Sequence, residues 1–162
     1  MIRKIEIERF SLITSKKFDD VTAALRAGIG RPDMAEFWKS AHAAPSAAKL
    51  ESMIETAVGK TGLMLFVAFD HGAIVGKTTG RESRIIRFLI GNPLIMKEMV
   101  KHAPDAGSYA PITILIDERE HGVHLSYDLT ASFLASYENA KGSAVARDLD
   151  GKVESLIRES AL

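Results

Sequence analysis

A histidine follows an apolar segment at a point where the chain is expected to turn. Residues 63–69 are apolar, and they end at Asp70-His71-Gly72. Because an imidazole exchanges protons near neutral pH, His71 is a candidate catalytic residue that would act as a general acid or base. The alternative is a turn in which Asp70 bonds to nearby backbone and Gly72 supplies a positive φ. Adjacent strand residues face opposite ways, so Asp70 and His71 form a dyad only if the turn redirects one of them.

The segment Gly76-Lys77-Thr78 resembles the end of a phosphate-binding loop of nucleotide-binding proteins. Such a loop has four residues between its first glycine and the Gly-Lys-Thr element, and it opens a helix. Here only three residues separate Gly72 from Gly76, and the sequence after Thr78 is a poor helix start. A loop shortened by one residue misdirects the amides that would hold phosphate, so we predict that this segment binds no nucleotide.

A second candidate site follows another apolar run, at Gly91-Asn92-Pro93. Asparagine suits the N-cap of a helix and proline suits its first position. The free amides and the dipole of that helix could hold an anion, although a well-capped helix explains the same residues. Tyr127 ends a later strand, where it either lines a pocket or is a buried phenol with one satisfied hydrogen bond.

Charge and composition exclude several classes of function. The chain has 162 residues, and its 21 Lys and Arg balance its 21 Asp and Glu, which argues against binding to nucleic acid or to an anionic membrane. It has no cysteine, and His121 and His124 lie in a predicted hairpin without an acidic cluster, so we expect neither a metal site nor a cofactor. No apolar run is long enough for a membrane helix or a signal peptide, which favours a cytoplasmic protein.

The hydrophobic pattern predicts one α+β domain over residues 1–162 with a mostly antiparallel sheet of four to five strands and helices mainly on one face. Expected strands are a first one from Ile5 to Leu12, then residues 63–69, 84–90, 112–116 and 123–127. Expected helices cover residues 15–29 with Ser15 as the cap, two segments between residues 33 and 57 with Ser46 capping the second, 93–102, 132–137, and a last one around residues 145–157.

Four motifs in the same order resemble the domain-of-unknown-function 302 family. They are Phe69-Asp70-His71-Gly72, Ile90-Gly91-Asn92-Pro93, the run at residues 104–111, and Gly122 through Ser126-Tyr127-Asp128. The resemblance covers about residues 11–157 and implies a fold similar to the TATA-binding protein, with dimers. It names no activity. Its recurrent positions are Asp70, His71, Gly72, Gly91, Asn92, Pro93, Pro111, Ser126 and Tyr127.

Two kinds of function fit these residues, and a third needs no ligand. The first is a small-ligand binding or sensing module, with Asp70, Gly72, Gly91, Asn92 and Tyr127 as ligand-binding residues. The second is a small enzyme that uses His71 for proton transfer on an anionic or carbonyl-bearing substrate. The third is a homodimeric interaction protein. For the first two, we expect Asp70, His71, Asn92 and Tyr127 around one pocket at the ends of adjacent strands.

The rejected nucleotide loop gives the first test. Titration with ATP or GTP at up to millimolar concentration is expected to give no saturable binding that depends on Lys77. Micromolar binding of either nucleotide that disappears in Lys77→Ala would contradict this expectation.

Overall fold

A five-stranded antiparallel sheet is the centre of the fold. The computed structural model describes residue 2 and residues 4–162, and within these the strand order is β1-β5-β4-β3-β2 with every neighbouring pair antiparallel. The strands are β1 (Arg9–Thr14), β2 (Met64–Asp70), β3 (Ile85–Gly91), β4 (Ile112–Arg119) and β5 (Gly122–Asp128). The predicted α+β class with an antiparallel sheet is confirmed.

Seven α-helices accompany the sheet in the described part of the chain. They are α1 (Phe18–Gly28), α2 (Met34–His42), α3 (Ala47–Ala57), α4 (His71–Thr79), α5 (Pro93–His102), α6 (Thr130–Ala135) and α7 (Ala140–Ala161), with a 3-10 helix at Pro104–Tyr109. None of the described helices is both long enough and apolar enough to cross a bilayer.

The main core lies between one face of the sheet and helices α1, α5 and α7. Every second residue of β3, β4 and β5 enters this core, as the period of a strand requires, while their neighbours face the other side. A smaller cluster around Met64, Phe37 and Ile54 joins α2 and α3 to the β2 edge. The sheet face opposite the main core is here called the open face. In-register partners assign to it Arg9, Ser126, Asp128, Thr113, Leu115, Ile85 and Arg87.

Local capping signals place two helices where the sequence predicts them. The Ser46 hydroxyl accepts from the backbone N–H of Lys49 at the start of α3, and the Asn92 side chain accepts from the N–H of Leu94 at the start of α5. Ser15, in contrast, caps nothing: α1 begins at Phe18, with Lys17 at its N-cap position and no side-chain cap. The predicted cap was therefore two residues early.

The first strand is shorter than its alternating sequence predicts, because β1 needs a partner. Arg9 pairs with Asp128, which is the last residue of β5, and the backbone N–H of Leu129 still reaches the carbonyl of Glu8. Beyond that point β5 has turned into α6, so Ile5 and Ile7 have no strand to pair with.

A helix follows β2 directly, where the sequence analysis expected only a turn. Asp70 Oδ1 accepts from the backbone N–H of Ala73 at 2.8 Å, so Asp70 is the N-cap of α4. At the other end Gly80 adopts a left-handed φ of 69° and its N–H bonds to the carbonyl of Gly76. Caps at both ends allow a helix in a segment whose glycines and β-branched residues disfavour one.

A buried carboxylate ties α7 to β5 and α6. Asp150 of α7 accepts from the Tyr127 hydroxyl at 2.5 Å, from the Thr130 N–H at 2.8 Å and from the Ala131 N–H at 2.9 Å. The last two bonds cap α6, which explains why it begins at Thr130 rather than at the predicted Ser132. Burial of the phenol and the adjacent Asp150 carboxylate both raise the pKa of Tyr127 above its ordinary value of 10.0.

The Tyr127 hydroxyl gives a stability prediction. Tyr127→Phe removes a donor from a buried carboxylate, so it is expected to lower the free energy of unfolding at pH 8 by about 1–3 kcal/mol. Because folding raises the pKa, the wild-type advantage is complete below pH 10 and declines as the pH rises through and above that value. Urea unfolding between pH 7 and pH 11 measures both effects.

Tyr109→Phe is the matched control, because that phenol is only partly buried and its hydroxyl contacts Tyr137. We expect it to cost less. Equal losses for the two variants, or a gap between wild type and Tyr127→Phe that stays constant to pH 11, would contradict the assigned role.

Candidate functional site

The open face of the sheet forms the floor of a broad cavity. Its volume is about 710 Å³, and strands β1, β5, β4 and β3 supply the floor while α4, the 3-10 helix and α6 supply the sides. The polar and aromatic residues that line it are Arg9, His71, Arg87, Ser108, Tyr109, Thr113, Ser126, Asp128, Thr130 and Phe133. A concave site with a few converging polar groups is the usual form of a small-molecule site.

His71 is held at the rim of this cavity by the junction between β2 and α4. Its ring lies parallel to that of Phe69, with 6.0 Å between the centroids and 5° between the planes. The next residue, Gly72, is packed so closely that a Cβ there would lie 2.3 Å from the carbonyl oxygen of Ser83. Glycine at this position therefore lets α4 start against the segment that leads into β3.

Arg87 is the central cation of the cavity floor. One guanidinium nitrogen donates to the Thr113 hydroxyl at 3.1 Å, and the group lies 6.0 Å from the ring centre of Phe69. Its Nε is buried and has no hydrogen-bond partner among the described residues. Within the same part of the chain, no aspartate or glutamate forms an ion pair with it. A buried donor without an acceptor costs about 1–3 kcal/mol, so this arrangement is unfavourable without a further partner.

The two open-face carboxylates closest to Arg87 in the sheet register are already paired. Asp128 receives two bonds from Arg9, at 2.5 and 2.9 Å, across the β1–β5 pair. Asp117, on β4, bonds to Arg119 on the same strand. The Asp128 contact raises the pKa of Arg9, so that arginine remains charged and the pair is neutral overall. The net positive charge of the cavity is therefore that of Arg87.

An aromatic wall and two hydroxyls complete the cavity. Tyr109 of the 3-10 helix stacks on Phe133 of α6, with ring centres 4.7 Å apart and 14° between the planes. Thr113 and Ser126 stand on the floor between this wall and Arg87. Together these groups can hold a small molecule that has an anionic end and a flat or apolar body.

Asn92 and Gly91 lie in a different place, at the entrance of α5. They line a second cavity of about 270 Å³ with Trp38 and Phe66. Both ends of the Asn92 amide bond to the fold, since its oxygen accepts from Leu94 and its nitrogen donates to the carbonyl of Gly62 at 2.9 Å. Its role as the α5 cap is therefore observed, whereas a role in ligand binding stays a prediction.

Tyr127 is in the main core, only 1% exposed, and faces the helices. His71 lies on the open face, and Asn92 lies at the opposite end of β3 from Asp70. The expectation of a single pocket around Asp70, His71, Asn92 and Tyr127 is therefore wrong. Antiparallel pairing is the reason. Asp70 follows one end of the β2–β3 pair, and Asn92 follows the other end.

The Gly-Lys-Thr element forms the last turns of α4. Its backbone is helical, and the N–H of Gly80 bonds back to the carbonyl of Gly76. It has neither the loop nor the following helix of a phosphate-binding loop. In the part of the chain that the structure describes, no group of three or more His, Asp or Glu side chains is placed to hold a metal ion.

Arg87 was missed in the sequence analysis, although a signal was present. It is the only charged residue between Ile85 and Ile90, in the middle of a strand that is otherwise apolar. A single charge in a central strand faces either a paired partner or a polar cavity. The sequence did not say which, because the answer depends on whether a helix covers that face of the sheet.

Comparison with known proteins gives the family but no activity. A comparison with curated proteins gave no match. A crystal structure of an uncharacterized conserved protein DUF302 from Bacillus stearothermophilus is similar, with a TM-score of 0.65 and 8% sequence identity over 93% of this chain and 96% of that one. At this identity the likeness shows the fold alone. The family model described as "Domain of unknown function DUF302" matches residues 42–160, which is well over half of the chain. The chain therefore belongs to the DUF302 family.

Proposed function

We propose that this protein is a small-ligand binding or sensing module that holds a small oxyanion, a carboxylate or a phosphate group, in the open-face cavity. The observation that carries the proposal is Arg87, a cation on the cavity floor with no acidic partner among the described residues and with an unbonded Nε. An anion in the cavity supplies the counter-charge that Arg87 lacks among the described residues. Arginine suits this purpose because its fork of donors matches both oxyanions.

The surroundings of Arg87 support an anion rather than a neutral ligand. The nearby acidic groups are occupied by Arg9 and Arg119, so they do not compete for Arg87. The Thr113 hydroxyl holds one nitrogen of the guanidinium and leaves the others for a ligand. The aromatic wall of Tyr109 and Phe133 contacts the body of the ligand.

His71 supports a second candidate function. It lines the same cavity as Arg87, so a bound anion lies within the space that its imidazole faces. The second candidate is therefore a small enzyme in which Arg87 holds an anionic substrate and His71 transfers a proton. Chemical change of the bound anion, lost in His71→Gln while binding persists, separates this candidate from a simple binding module.

Arg87→Met tests the proposed function. Inorganic phosphate, succinate and benzoate are the probes, and isothermal titration is the measurement. We expect saturable binding of at least one probe by the wild type and loss of at least tenfold in affinity in Arg87→Met, since charged hydrogen bonds contribute about 1.5–3 kcal/mol each. The variant is also expected to melt at the wild-type temperature or above it, because the substitution removes an unbonded buried donor.

Arg31→Met is the matched control, because Arg31 is exposed in the loop before α2. It is expected to bind the same probes as tightly as the wild type. The proposal fails if none of the three probes binds, if the two variants bind equally, or if Arg87→Met lowers the melting temperature as a core substitution does. The last result would make Arg87 a structural residue.

We also propose that the chain forms a homodimer, as the family resemblance implies, through the β2 edge and α4. Phe69 is 42% exposed and Ile74 is 65% exposed there, and the zero net charge does little to oppose association.

Light scattering at tens of micromolar is expected to give twice the mass of one chain. Ile74→Lys should reduce the measured mass to that of a monomer. Ile2→Lys, at an exposed position remote from Ile74 in the sequence, should leave the dimer mass unchanged. A monomer mass for the wild type would end this proposal.

A further inference from the structure

The second cavity lies where the two hydrophobic clusters of the protein meet without closing. Met99 and Leu149 on one side belong to the main core, and Phe66 on the other packs against the smaller cluster. The remaining space is about 270 Å³. It is a partly open cleft beside Trp38 rather than a closed void inside the core.

Gly91 keeps this space open. A Cβ at that position would stand 3.4 Å from Phe66 Cε2 and 3.8 Å from Pro111, which are ordinary contact distances. The backbone there does not have a positive φ, so an alanine would fit both the conformation and the surroundings. The glycine is therefore not needed for the chain path, and its effect is to leave room beside Phe66.

The walls of the cavity exclude a charged ligand. No ionisable side chain lines it. Its polar lining groups are the indole N–H of Trp38 and the amide of Asn92, whose oxygen accepts from Leu94 and whose nitrogen donates to Gly62. A charged group moved from water into such a site would lose its hydration without gaining a partner. The apolar lining therefore favours an uncharged occupant, in contrast with the anion proposed for the open face.

The walls favour an aromatic molecule in particular. Trp38 and Phe66 stack on each other, with planes inclined by 29° and centres 6.2 Å apart, and so form one aromatic wall. Met96 and Met99 supply thioethers on the side of α5. Ring faces and methionine sulfur both interact well with aromatic rings. Dry cavities of about 150 Å³ already bind benzene, so this one has room for one or two fused rings.

We propose that this second cavity, the space between Trp38, Phe66 and α5, is a binding site for small uncharged aromatic molecules. Trp38 is 44% exposed at its edge, which gives such a molecule a way in past a side chain that is already partly solvated. This site shares no role with Arg87 or His71. The two proposals therefore stand or fall separately.

The test uses the intact protein with its methionine methyl groups labelled for NMR, and toluene as the probe. Toluene is expected to shift the Met96 and Met99 methyl signals saturably and to leave Met53, which lies outside the cavity in α3, unchanged. Trp38 is the only tryptophan, so a saturable change in its fluorescence is a second readout on the same titration.

Two controls make the test specific. The Gly91→Ala variant checks that toluene binds in this cavity, and benzoate checks that the cavity disfavours a charged ligand. The added methyl group occupies part of the cavity and is expected to weaken toluene binding about tenfold, which is what one methyl group in an apolar pocket is worth. Benzoate, which has the same ring with a charge, should not displace toluene. The proposal is overturned if the methionine signals do not shift saturably, if Met53 shifts equally, if a folded Gly91→Ala binds as the wild type does, or if benzoate competes.

Discussion

The alternation of side chains along the central strands is the constraint on which the rest of this structure depends. On β3, Phe88 is fully buried against the helices, and its neighbour Arg87 must therefore face the other side of the sheet. Helices α1, α5 and α7 pack on the Phe88 face. The opposite face keeps its polar groups in a cavity, so burying the core and exposing the candidate site are consequences of the same pattern.

A second constraint is the antiparallel pairing. It places the C-terminal ends of neighbouring strands at opposite ends of the sheet. The end of β2 carries Asp70 and His71, and the end of β3 carries Asn92. Two capped helices start at these two ends, α4 and α5, and each stands beside a different cavity. The fold thus produces two spaces of unlike chemistry, one with an unpaired cation and hydroxyls and one with aromatic and thioether walls.

The Asp150 carboxylate holds α6 in place against β5 and α7. It is buried and bonded to Tyr127 and to the first amides of α6, so it joins the last helix to the end of β5 and the start of α6. A single charged group of this kind is costly to bury and is tolerated because three donors surround it. Phe133 is carried by α6, and the aromatic wall of the open-face cavity therefore depends on a contact on the far side of the sheet.

The sequence alone determined the features that depend on neighbouring residues. Alternation and apolar runs identified strands β2 to β5 closely, and short capping motifs located the starts of α3 and α5. Both kinds of signal are carried by a few neighbouring residues. The tertiary structure decided everything that depends on distant partners. Helix α4 had poor local propensity and needed its caps and its packing against the segment before β3. The bond between Tyr127 and Asp150 joins residues on different elements, and no local pattern encodes it. The same holds for the open-face cavity, because Arg87 faces a solvated space only where no helix covers the sheet. Local sequence specifies the elements, whereas the position of each element over or beside the sheet specifies which side chains meet.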